Sequence, residues 1–105
     1  MPTNIRRHTA FTDTYSLLEE LWAAGDDYGL SWPVRARLAE ALTELTDDAL
    51  YAPDRPVPPR LDDAVRGFEV LDELLARMLA EVADLASVLR VTRVLEHVAE
   101  ARRLR

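Results

Sequence analysis

The feature that most constrains this chain is the apolar pattern of its last third, residues 61–105, which contains no proline. From residue 68 onward, apolar residues recur at alternating steps of three and four. They are Phe68, Leu71, Leu75, Met78, Val82, Leu85 and Leu89. This is the heptad spacing of a helix that packs one seam against a partner. The segment therefore predicts an all-α protein with a long C-terminal helix over residues 61–104.

The apolar pattern changes phase between residues 84 and 88. The later apolar residues are Val88, Val91, Val94, Leu95 and Val98. They face another direction, since adjacent helical residues lie about 100° apart around the axis. No glycine or proline marks a break, and Asp84 or Ser87 is a weak capping signal. The helix is therefore continuous or kinked, which we favour, or it splits at residues 84–88 and folds back to close a four-helix bundle.

The first half of the chain predicts an antiparallel helical hairpin. Residues 1–10 read as a flexible lead-in, followed by helices at about 11–25 and 32–51. Gly25 is placed to end the first helix, while Ser31 and Pro33 are typical of a helix start. The segment 52–60 holds four prolines, which predicts a stiff connector. The whole chain, residues 1–105, is then a single helical domain of three or four helices packed as a bundle.

Composition excludes several classes of function. The net charge of −6 and pI near 4.8 disfavour general binding to nucleic acid or to an anionic membrane. The chain has no cysteine, so disulfides and thiolate metal sites are excluded. No signal peptide or membrane-spanning run is visible, and we expect a cytoplasmic protein without nucleic-acid or membrane partners.

No residue pattern predicts catalysis, a cofactor or a metal site. His97 lies near Glu96 and Glu100, but a carboxylate-bridged metal bundle needs Glu-x-x-His elements, which the chain lacks. Glu40 and Glu44 share a helix face away from the apolar stripe, so we expect both carboxylates to be solvated and not to act in acid–base catalysis. We therefore predict that the protein is not an enzyme.

Charge in the last third is divided between its two halves. Residues 61–85 carry seven acids and two arginines, whereas residues 86–105 carry five arginines and two glutamates. An antiparallel arrangement would set the acidic half beside the basic half, and a parallel one would stack like charges. Two halves of one chain or two separate chains would both satisfy this pattern.

The predicted function is a helical interaction or adaptor module that binds a protein partner, with an antiparallel homodimer favoured. If the last helix is continuous, its valine-rich half is exposed and requires a partner. The predicted interaction residues are Val88, Val91, Val94, Leu95, Val98 and Trp32. Trp32 follows a turn at a helix start, whereas Trp22 lies on an apolar face and is expected in the core. The alternative is an acidic inhibitor or immunity-type protein that blocks a basic surface of another macromolecule.

Overall fold

The computed structural model describes residues 9–46 and 63–105, and these residues form four helices and no strand. Helix α1 is Thr9–Ala23, α2 is Trp32–Thr46, α3 is Ala64–Glu81 and α4 is Leu85–Leu104. The predicted all-α fold is therefore confirmed. Residues 47–51 of the predicted second helix, the connector 52–60 and residues 1–8 of the lead-in lie outside the described residues.

Helix α1 begins at Thr9, close to the predicted start at about residue 11. Ala10 is therefore helical, and its side chain is buried. Ala10 and Phe11 both contribute to the core, so the first turn of α1 is held by packing.

Helix α1 ends at Ala23, two residues before the predicted end at Gly25, and the left-handed glycine that closes the following turn is Gly29 and not Gly25. The Leu30 N–H donates to the Gly25 carbonyl at 2.9 Å, and the Gly29 N–H donates to the Asp26 carbonyl at 3.1 Å. This pair of bonds is the Schellman arrangement, which requires a left-handed residue at its end. Gly29 supplies it with a φ of 69°. Gly25 has another role, because its missing side chain leaves room for Arg35.

The predicted long C-terminal helix is split, so our preference for a continuous or kinked helix was wrong. Val82 and Asp84 are extended, with ψ angles of 141° and 149°. Asp84 caps α4, because its carboxylate accepts from the Ser87 N–H at 2.9 Å and from the Ser87 hydroxyl at 2.7 Å. The extended residues reset the helical phase. Leu85 and Leu89, which belonged to the predicted seam, are consequently exposed at 73% and 49%.

The four helices pack in the cyclic order α1, α2, α4, α3, with each helix antiparallel to its two neighbours. Thr14 near the start of α1 donates from its hydroxyl to the sulfur of Met78 near the end of α3, at 3.5 Å. Arg102 near the end of α4 pairs with Asp72 in the first half of α3. The acidic and basic halves of the last third are therefore antiparallel within one chain. The end of α2 and the start of α3 lie at opposite ends of the bundle.

The core is built from one face of every helix. Its largest side chains are Phe11, Leu17, Leu18, Leu21, Val34, Leu38, Leu45, Phe68, Leu71, Leu75 and Met78, with Val91, Val94 and Val98 from α4. The longest dimension of the molecule is 39 Å. A continuous helix over residues 61–104 would be about 65 Å long. Folding α4 back therefore buries the valines that a continuous helix would have exposed.

Candidate interaction surface

The structure places the predicted valine face mostly inside the bundle. Val91, Val94 and Val98 are at most 1% exposed, and Val88 and Leu95 are half-buried. Helix α4 makes its most extensive contact with α2. This face therefore packs mainly against α2 of the same chain. Val91, Val94 and Val98 are buried there and are not accessible to another molecule.

Trp32 differs from the other predicted interaction residues, because its side chain is 73% exposed. It is the first residue of α2, where the helix emerges from the turn that follows α1. Trp22, in the last turn of α1, is 41% exposed, so its expected place in the core was wrong. The phase of the apolar stripe alone does not show where burial stops at the end of a helix.

Arg35 holds the end of α1 beside the first turn of α2. Its Nε donates to the Trp22 carbonyl at 3.1 Å, and its terminal nitrogen pairs with Asp26 at 3.3 Å. Its side chain crosses Gly25, where an added Cβ would lie 2.6 Å from the Arg35 Cδ. Trp22 and Trp32 lie at the same end of the bundle, because α1 ends and α2 begins there.

The end of α4 completes this surface. Leu104 is 41% exposed, and together with Arg105 it lines a small cleft whose other wall is Gly29–Ser31 and Val34. Trp32 directly follows that wall in the chain. We call the exposed side chains of Trp22, Trp32 and Leu104 the tryptophan end. Val65, at the start of α3, is at the same end and is 47% exposed.

The tryptophan end carries charges of both signs. The turn between α1 and α2 carries Asp26 and Asp27, and the start of α3 carries Asp63, all three exposed. The end of α4 carries Arg102, Arg103 and Arg105, and the Arg105 guanidinium lies 5.7 Å from the centre of the Phe68 ring on α3. Since Arg105 also lines the cleft with Gly29–Ser31, the basic end of α4 lies beside the acidic turn.

Most of these charges already have partners within the chain. Asp26 pairs with Arg35, Arg102 with Asp72, and Arg103 with Glu100. The Arg103 partner also lowers the pKa of Glu100 through their hydrogen bond. Asp27 and Arg105 differ, since neither forms an ion pair with any residue in the two described segments. Arg105 instead lies over the Phe68 ring.

Tyr28 ties the turn of the tryptophan end to α1. Its hydroxyl donates to the Glu20 carboxylate at 3.1 Å. Partial burial, followed by this bond to an anionic acceptor, raises the pKa of the Tyr28 phenol. The phenol therefore stays a neutral donor around neutral pH, and the turn keeps its connection to the helix.

A second surface feature is an open groove between α2 and α4, lined by Ala39, Glu40, Thr43, Glu44 and His97. The His97 Nδ1 lies 3.2 Å from a Glu40 oxygen, and the same oxygen accepts from Arg37 at 2.7 Å. The sequence reading placed His97 beside Glu96 and Glu100 on its own helix and missed this contact, because it joins two helices. Over residues 9–46 and 63–105, no group of three or more potential ligands could hold a metal ion.

The opposite end of the bundle has a smaller exposed apolar pair, Leu85 and Leu89, one turn apart on α4. None of the helices described is both long enough and apolar enough to cross a membrane. Comparison of the chain with protein-family models, with curated proteins and with solved structures found no match.

Proposed function

We propose that this protein is a non-catalytic interaction module that binds a protein partner through its tryptophan end. The observation that carries the proposal is the exposure of Trp32, 73%, at the end of the bundle that also carries Trp22 and Leu104, exposed at 41% each. Tryptophan is the residue type most enriched at the energetic centre of protein interfaces. Uncovered aromatic side chains expose a large apolar area to water, which is unfavourable. Two such side chains at one end of a helical bundle therefore favour a binding surface there.

The proposal keeps Trp32 from the sequence prediction and moves the rest of the surface. Val91, Val94 and Val98 contribute to the core. Substituting these valines would therefore lower the stability of the fold, and would not test binding directly. The binding surface therefore consists of residues from helix ends, and helix α4 contributes through Leu104 and Arg105 instead of through its valines.

The test is photo-crosslinking in the native cell, with a photoreactive phenylalanine analogue at position 32. The matched control carries the analogue at position 85, because Leu85 is as exposed as Trp32 and lies at the opposite end of the bundle. We expect protein adducts from position 32 and few from position 85. Adducts from position 85 alone, or from neither position, would contradict the proposal. We use the cytoplasm, the compartment expected from the sequence, for this experiment.

A second candidate is the acidic inhibitor that blocks a basic surface. It is favoured by the open groove between α2 and α4, which is lined by Glu40 and Glu44; of these, Glu40 already accepts from Arg37. The same experiment with the analogue at Thr43, an exposed residue of this groove, separates the two functions. A basic protein captured from position 43 and nothing from position 32 would replace the first proposal by this one.

A further inference from the structure

We draw no further inference here: the strongest candidate, the tryptophan end of the bundle with the exposed side chains of Trp22, Trp32 and Leu104, carries nothing beyond the proposed function, because nothing in the structure shows what covers it.

Discussion

Two polar contacts between Asp84 and Ser87 determine where helix α4 begins. The Asp84 carboxylate accepts from both the N–H and the hydroxyl of Ser87. The hydroxyl bond, followed by the backbone bond, holds the pKa of the Asp84 carboxyl below its ordinary value. Ser87 is fully buried, so its hydroxyl would lose its acceptor and find no water if Asp84 were removed. Asp84 and Ser87 therefore fix the start of α4, although in the sequence they are only a weak capping signal.

Replacing Asp84 with alanine should lower the melting temperature by several degrees at neutral pH, since the cap and the acceptor of a buried hydroxyl are both lost. A carboxyl whose pKa is lowered by folding stabilises the protein above its unfolded pKa, and this contribution disappears as the pH falls through the folded value. The difference between wild type and Asp84→Ala should consequently be largest at pH 7 and shrink below about pH 4. Thermal unfolding followed by circular dichroism from pH 7 to pH 3 measures it, and a pH-independent difference would contradict the capping role.

Gly29 should tolerate alanine poorly despite the open space around it. Its φ of 69° is left-handed, and no atom lies within 4 Å of where a Cβ would be, so the cost comes from backbone strain alone. We expect Gly29→Ala to lower the free energy of unfolding by about 1–2 kcal/mol. Asparagine adopts this conformation more readily, so Gly29→Asn should recover part of the loss. Urea titration measures both variants, and equal losses would exclude backbone strain as the cause.

At the scale of elements, three residues between α3 and α4 determine which apolar side chains enter the core. The heptad seam is correct for α3, where Phe68, Leu71, Leu75 and Met78 are fully buried. Beyond the extended residues 82–84 the phase is reset, so that Leu89 is half exposed and Val94 is buried. The effect of a substitution in α4 on the free energy of unfolding should therefore follow the burial set by the new phase and not the position in the heptad.

This difference can be measured with one pair of substitutions. Val94→Ala should lower the free energy of unfolding by about 2 kcal/mol, because it leaves a cavity among buried residues. Leu89→Ala, which removes a larger group from a half-exposed position, should cost less than about 0.5 kcal/mol. Chemical denaturation of both variants tests the split helix. A larger loss for Leu89→Ala would instead favour the continuous seam.

At the scale of the whole molecule, the four described helices share one core, and both tryptophans lie at one end of the bundle. The antiparallel ring places every helix against two others. Unfolding of the helices and loss of the tryptophan environment should therefore coincide, as expected for a small two-state domain.

Much of the local structure follows from the sequence, because periodicity and capping are local properties. The start of α2 and the apolar stripe of α3 are of this kind. Helix α3 itself begins at Ala64, three residues after the predicted start, where the Asp63 carboxylate accepts from the Arg66 N–H at 2.9 Å. Trp32 was also predicted at the interaction surface on the ground that it follows a turn at a helix start. Its exposure agrees with that position, whereas the function of the surface is still a proposal.

What only the tertiary structure decided was which helix covers which face. The capping signal at Asp84 was visible but weak, and the alternatives differed in contacts between residues far apart in the chain. Trp22 was misplaced for the same reason, since its exposure depends on where the neighbouring helices end. Leu104 had no signal in the sequence, because it joins Trp22 and Trp32 at one end only when the helices pack. Periodicity determines the direction that a side chain faces around its own helix, and only the packed bundle determines whether another helix is there to cover it.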